Sequence, residues 1–238
     1  MAGQVVAFSG GKDSTALVLR LAELDELFVC LFTPTGNELP ELAAHINAVM
    51  ALVDRPLVTP PNRSLMFWMQ HHQALPNWRQ RWCTRQIKIE PCIAFLLEHP
   101  GSTLCVGLRA DEDERQGLYG SFATYRYPLR EWGWTKADVY RYLDARGVTV
   151  PARTDCALCY GQQLGEWFTL WRDYPDEFAK GELLEAQMGH TFRSPGRDTW
   201  PAPLRELREK FEQGYLPRDV DLNLSLFDTH QPCRVCRF

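Results

Sequence analysis

The stretch Gln4-Val-Val-Ala-Phe-Ser9-Gly10-Gly11-Lys12-Asp13-Ser14, continued by Thr15-Ala-Leu-Val-Leu-Arg-Leu-Ala22, decides the fold. Val5 to Phe8 is a short apolar run with β-branched residues, the length of a buried strand. Two glycines follow, and Ala16, Leu17, Leu19 and Leu21 then mark a helix. A strand, a glycine turn and a helix start make an anion cradle. Glycine lets backbone N–H groups approach an anion, and the helix dipole adds partial positive charge. Lys12 adds a point charge, and Ser9 and Ser14 add hydroxyls. The pattern is not Walker A, which needs a glycine five positions before the glycine of Gly-Lys-Ser/Thr, where this chain has Val6.

The same alternation continues outward. Leu27 to Phe32 reads as a second strand ending in the loop Thr33-Pro-Thr35-Gly36-Asn-Glu38, and Leu39 to Val53 as a helix. Strand–helix alternation predicts a parallel sheet, with ligands gathered at the carboxyl ends of its strands. Thr33, Thr35, Gly36 and Glu38 are therefore candidates for the pocket wall. Leu57–Thr59 is a weak strand, Arg63 to Gln73 a helix candidate, and Gln86 to Leu97 another. Thr103 to Val106 is the best late strand, followed by a loop carrying Arg109, Glu112 and Arg115. Gly117 to Tyr127 reads as turn-rich, and Lys136 to Arg146 as a helix with a capping box on Thr135 and Asp138. Beyond residue 150 helical runs dominate: Gln162 to Arg172, Pro175 to Met188 and Leu204 to Gln213. The expected organisation is an α/β nucleotide-binding domain over 1–150 and a helical, cysteine-containing extension over 151–238.

Between these elements, Trp78-Arg79-Gln-Arg81-Trp82-Cys83-Thr-Arg85-Gln-Ile-Lys88 places four cations and two indoles in eleven residues. Bases or an adenine ring can stack on the indoles while the cations hold phosphate or sulfate. The competing reading is a surface arm with snorkelling arginines.

Composition narrows the function classes. The 238 residues, with 45% hydrophobic and 24% charged, suit an ordinary globular protein. A net charge of −4 gives no global pull toward nucleic acid, so such binding would need a local basic patch. No apolar run approaches membrane-spanning length and the start lacks a signal-peptide pattern, so a cytoplasmic protein without membrane contact is expected. The eight cysteines are then thiols, ligands or redox groups. Cys30, Cys92 and Cys105 lie in apolar runs and read as core thiols. Cys156-Ala-Leu-Cys159 and Cys233-Arg-Val-Cys236 are two CxxC pairs, which can close a tetrahedral zinc site or hold a cluster. If zinc takes both pairs, Cys83 is left beside the arginines, where its pKa should fall.

Ser9-Gly-Gly-Lys-Asp-Ser14 resembles the PP-loop of the N-type ATP pyrophosphatases, a group that includes the 3′-phosphoadenylyl sulfate (PAPS) reductases. Further segments are similar to the reductase family in its own order: Thr35-Gly36 with its acidic neighbour, Cys83 through Lys88 to Pro91, Gly107-Leu-Arg109 with Glu112 and Arg115, Pro128-Leu with Trp132, and Cys156/Cys159. The resemblance implies an adenine-nucleotide α-hydrolase-like fold with ATP or PAPS at Ser9–Ser14, Thr35, Gly36, Lys88, Arg109 and Arg115. It places Cys83 among the ligands of a [4Fe–4S] cluster with Cys156 and Cys159, a tail cysteine completing the set. Family members carry a tandem Cys-Cys where this chain has Trp82-Cys83, and their tail nucleophile motif is absent here.

The leading expectation is thiol-dependent reduction of a sulfonucleotide, with Lys12 and Arg109 on the anion, Cys233 or Cys83 as nucleophile, and a thiol partner such as thioredoxin or glutaredoxin. The second is ATP-dependent adenylation with sulfur insertion into a nucleic acid or another acceptor, a cluster carrying the sulfur. The third is a metal-stabilised nucleic-acid-binding module. A homo-oligomer is left open.

Overall fold

The computed structural model describes residues 3–115 and 124–220. Its centre is a parallel sheet of β1 (Gln4–Ala7), β2 (Phe28–Leu31), β3 (Leu57–Val58), β4 (Thr103–Cys105) and β5 (Thr124–Arg126), in the order β3-β2-β1-β4-β5. The chain winds outward from β1 to β3 on one side, then returns past β1 to β4 and β5. The reversal falls between β1 and β4, so the loops after these two strands open a crevice at their carboxyl ends. The expected α/β parallel-sheet fold is what forms.

Both sheet faces are covered, which is why the strands read as unbroken apolar runs. Val6, Cys30 and Cys105 lie in register and point into one core with α1 (Lys12–Glu23), α2 (Pro40–Val53) and α6 (Lys136–Asp144). Val5, Leu31 and Leu104 face the other side, where Cys92 and Leu96 of α4 (Glu90–Glu98) pack. Cys30, Cys92 and Cys105 are buried, and burial pushes each thiol up to about 12, as expected of core thiols.

A second core joins α7 (Leu164–Asp173), α8 (Pro175–Met188) and α9 (Leu204–Glu212) to residues far earlier in the chain. Trp167, Phe178 and Phe211 pack in one cluster with Leu65 and Met69 of α3 (Leu65–His72), Leu75 and Ile87. The Thr135–Asp138 capping box is present, with Thr135 N and Oγ1 donating to Asp138 at 2.9 and 2.6 Å. The short helix α5 (Pro128–Glu131) precedes it.

Two expectations are corrected. Thr124–Arg126, read as turn, is strand β5 at the sheet edge, paired with β4. An edge strand of three residues has no apolar run to announce it, and Arg126 is held instead by Glu26 and Glu131. The rest of that turn-rich segment, 116–123, lies outside the described residues, as does the tail from 221. Second, the helix expected from Gln86 begins earlier as a π-helical turn, Thr84–Ile89, running straight into α4. Pro91 has no N–H for the Ile87 carbonyl four residues back. That carbonyl accepts from Asn62 Nδ2 at 3.2 Å, which stitches the lead-in of α3 to the π turn.

Candidate nucleotide site

At the crevice between β1 and β4 lies a cavity of about 260 Å³. Ser9, Gly11, Lys12, Asp13 and Ser14 line it from the first loop, and Thr35 and Glu38 from the second. Lys88 reaches it from the π turn, Arg109 and Arg115 from the loop after β4, and Thr154 and Cys156 from beyond residue 150.

Gly10 and Gly11 do different work. Gly10 has φ +73°, and a Cβ there would come 2.5 Å from Leu42 Cδ1. Only glycine fits both restrictions. Gly11 is the N-cap of α1 with extended backbone, and a Cβ there meets only Ser9 Oγ and Thr154 Oγ1 at 3.4 Å. Ser14 Oγ donates to Gly11 O at 3.0 Å and lies 3.2 Å from Ser9 Oγ. The hydroxyls expected to serve an anion therefore also brace the loop itself. Gly36 repeats the pattern of Gly10, at φ +72° with Ser64 Cβ 3.0 Å from a Cβ. Neither Gly10 nor Gly36 is among the lining residues; each shapes a loop whose neighbours are. Glu38 spends its oxygens within its loop, accepting from Thr35 N and Oγ1 and from Gly36 N at 2.5, 2.7 and 2.9 Å.

The charges form a linked set. Asp13 Oδ2 receives Lys12 Nζ at 3.1 Å and Arg109 Nη1 at 2.8 Å. Arg109 also donates to Asp111 at 2.9 Å and lies 3.5 Å from Glu112, which holds Arg115 at 2.7 Å. Burial works against the Arg109 charge, yet Asp13 and its acidic neighbours outweigh it and its pKa is raised. Lys12 goes the other way: burial outweighs Asp13 and lowers its pKa. An anion beside Lys12 would restore the charge that burial disfavours. Asp13 Oδ1 is buried with no hydrogen-bond partner among the described residues. A Cβ on Gly107 would lie 3.3 Å from the Asp13 and Ser14 backbone, so this glycine lets the two loops meet.

Cysteines occupy one wall. Cys156 lines the cavity, its backbone bridged to Glu38, its thiol near Thr35 and Lys88. Burial pushes it up to about 12, against Lys88 and the Thr35 hydroxyl. Cys159 is buried behind it, and burial raises its pKa well above the usual thiol range. Cys83, at the head of the π turn, is half-buried and close enough to Cys156 for charge on one to act on the other. The fall in its pKa expected from the arginines does not occur: burial outweighs Lys88 and Arg81, and the pKa is raised. Cys83 packs in the second core and is not among the cavity's lining residues.

The three thiols are neighbours, but no three His, Cys, Asp or Glu side chains among the described residues are arranged to hold a metal ion. This donor set does not fit a [4Fe–4S] cluster or zinc as it stands. Cys233 and Cys236 lie outside the described residues. The pocket role of Cys156 and Thr154 escaped the sequence reading; the CxxC spacing drew attention to Cys156 only as a ligand. No described helix is long and apolar enough to cross a membrane.

The family model for the phosphoadenosine phosphosulfate reductase domain matches residues 3–152. The chain belongs to this family. Its members' domain thus spans the sheet, both glycine loops and the Arg109 loop. Among solved structures, the chain is similar to phosphoadenylyl-sulfate (PAPS) reductase from Candida auris in a phosphate complex. There the TM-score is 0.49 at 15% identity, over 63% of this chain and 75% of that one. It is also similar to NMN synthetase from Francisella tularensis, with TM-score 0.46 at 13% identity, over 93% and 90% of the two chains. Neither likeness is close enough to carry an argument about function. A search of curated proteins gives no match.

Proposed function

We propose that this PAPS reductase-family protein binds an adenine sulfonucleotide at Ser9–Ser14 and reduces it with a cysteine thiol. The observation that carries the reading is that Cys156 lines the same cavity as Lys12, Lys88 and Arg115. The nucleophile is then Cys156, in place of the Cys83 or Cys233 expected from sequence. Lys12 and the α1 N-terminus hold the phosphate, while Lys88 and Arg115 hold the sulfate or the remaining phosphate. Cys156 gives up its proton to solvent and its sulfur attacks the sulfate sulfur. The bond from that sulfur to the nucleotide's phosphate oxygen breaks, the electron pair leaving with the nucleotide. The product is a Cys156 thiosulfonate. A dithiol partner of the thioredoxin or glutaredoxin class attacks the Cys156 sulfur, releases sulfite and leaves a mixed disulfide. Its second thiol resolves that bond, so the partner is oxidised by two electrons and the sulfur reduced by two.

A second reading is ATP-dependent adenylation of an acceptor followed by sulfur transfer. The unpartnered Asp13 Oδ1 favours it, because a carboxylate oxygen left without a partner in the phosphate loop suits the divalent cation that accompanies a triphosphate. A [4Fe–4S] cluster or zinc in this reading would need ligands beyond Cys83, Cys156 and Cys159, whose arrangement does not by itself fit either group. The experiment that decides is incubation of anaerobically purified protein with PAPS plus a dithiol, or with ATP plus candidate acceptors. Sulfite from PAPS supports the first reading; pyrophosphate from ATP without sulfite overturns it. Iron and labile sulfide in the protein would assign Cys156 to a cluster.

A further inference from the structure

Residues 55–89 hold six of the 26 Lys and Arg and none of the 30 Asp and Glu. The rest of the chain is left with 20 cations against 30 acids, so this stretch of an acidic protein is net positive because it lacks acids. Arg55 pairs with Asp25 and Arg85 with Glu90 at 2.9 Å; Arg63 stands just before α3, and Arg79, Arg81, Arg85 and Lys88 run into and through the π turn.

Aromatic side chains interleave with them. The Arg63 guanidinium sits over the Phe67 ring at 5.0 Å, and Phe67 stacks flat on His71 at 6.0 Å and 6°. Trp68 stacks on His72, which meets Trp82 at 5.0 Å and lies 2.7 Å from Gln86, joining α3 to the π turn. Phe67 is 39% and Trp78 40% exposed, so both offer rings to solvent instead of filling a core. Arg63, Arg79 and Arg85 are exposed beside them. The ridge ends at Lys88, which lines the nucleotide cavity one turn beyond Arg85.

We propose that this ridge seats an unpaired loop of RNA and delivers one of its nucleotides to the Lys88 edge of the cavity. Phosphates would pair with Arg63, Arg79 and Arg85, and bases would stack on Phe67 and Trp78. Charge complementarity selects a polyanion, and the exposed rings select one with flat, apolar faces, which an acidic peptide lacks. Paired nucleic acid hides those faces inside the stack, so the strand must be unpaired. RNA shows unpaired loops in its resting fold, and the exposed Gln70, Gln73 and Gln80 suit its 2′-hydroxyls. The inference deepens the second reading above by naming its acceptor, but its observations are separate from the nucleotide site.

The test is fluorescence anisotropy of the full chain with a labelled RNA hairpin, a blunt RNA duplex and a single-stranded DNA of the loop sequence. The hairpin should bind tightest. Reversing Arg63, Arg79 and Arg85 together to Glu should weaken hairpin binding more than about tenfold and flatten the log Kd against log salt slope by roughly 2. Replacing all three by Lys should restore binding. Phe67→Ala with Trp78→Ala should weaken it several-fold and leave the salt slope unchanged. Calorimetry with ATP should give unchanged affinity in every variant, which reports an intact fold. Equal binding of duplex and hairpin, tighter binding of the DNA, or indifference to charge reversal would each overturn the proposal. Loss of RNA binding would leave the nucleotide reaction standing, and a protein inert toward PAPS and ATP would leave the ridge standing.

Discussion

Arg109 Nη1 donates to Asp13 Oδ2 at 2.8 Å, and this contact ties the loop after β4 to the phosphate loop after β1. The sheet order places those two loops on either side of the crevice, so the ion pair spans the site from beneath. Arg109 is 7% exposed and touches three carboxylates, which fixes its plane. Arg109→Lys keeps the charge but cannot serve Asp13 and Asp111 at once. Nucleotide affinity should fall by about five- to tenfold, roughly 1 to 1.4 kcal/mol, in titration calorimetry. Wild-type affinity for both ATP and PAPS would show that the brace does not set the loop.

The two glycines of the cradle should separate fold from binding. Gly10→Ala meets a positive φ and a 2.5 Å contact with Leu42, so a loss of about 2 to 4 kcal/mol is expected in urea unfolding. Gly11→Ala meets only ordinary contacts and should unfold like wild type. A larger side chain at Gly11, or Lys12→Ala, should leave folding intact and abolish nucleotide binding, since both alter the cavity wall. Equal stability of the Gly10 and Gly11 alanine variants would contradict the packing described for Gly10.

Cys156 should alkylate slowly at neutral pH, because burial holds its thiol at about 12. The rate with iodoacetamide, read by peptide mass spectrometry, should rise about tenfold per pH unit between 7 and 9. Lys88 favours the thiolate, so Lys88→Ala should slow alkylation at each of these pH values. A plateau near neutrality would mean that the thiolate is already formed.

Glu185 accepts from Phe192 N at 2.9 Å and Leu204 N at 2.7 Å inside the second core. Burial raises its pKa to about 7 despite those two bonds. A carboxyl with a raised folded pKa holds its proton longer in the folded than in the unfolded chain. Its contribution is full below about 4.5 and is lost as the pH rises through 7. Stability should therefore fall between pH 5 and 8, by up to about 3 kcal/mol. Glu185→Gln should flatten that slope in urea melts taken across the range, and an unchanged slope would assign it to other groups.

The strand–glycine–helix grammar of residues 4–22 was legible because each part follows from local physics. A buried strand needs an apolar run, a left-handed turn needs Gly10, and α1 needs its apolar stripe. The Thr135 capping box and the ends of α8 were readable for the same reason, since caps and glycine stops act within a few residues. Segments without a local signature were not readable. β5 exists only because β4 offers an edge to pair with, and in the π turn at Lys88 the Ile87 carbonyl, which Pro91 cannot serve, is taken by the distant Asn62. The thiols show the division best. Their CxxC spacing is local, and it marked Cys156 and Cys159 as a ligating pair. Which sulfur lines the cavity depends on a backbone bridge between Glu38 and Cys156. That contact joins positions more than a hundred residues apart, and only packing of the helical region against the loops of the sheet brings it about.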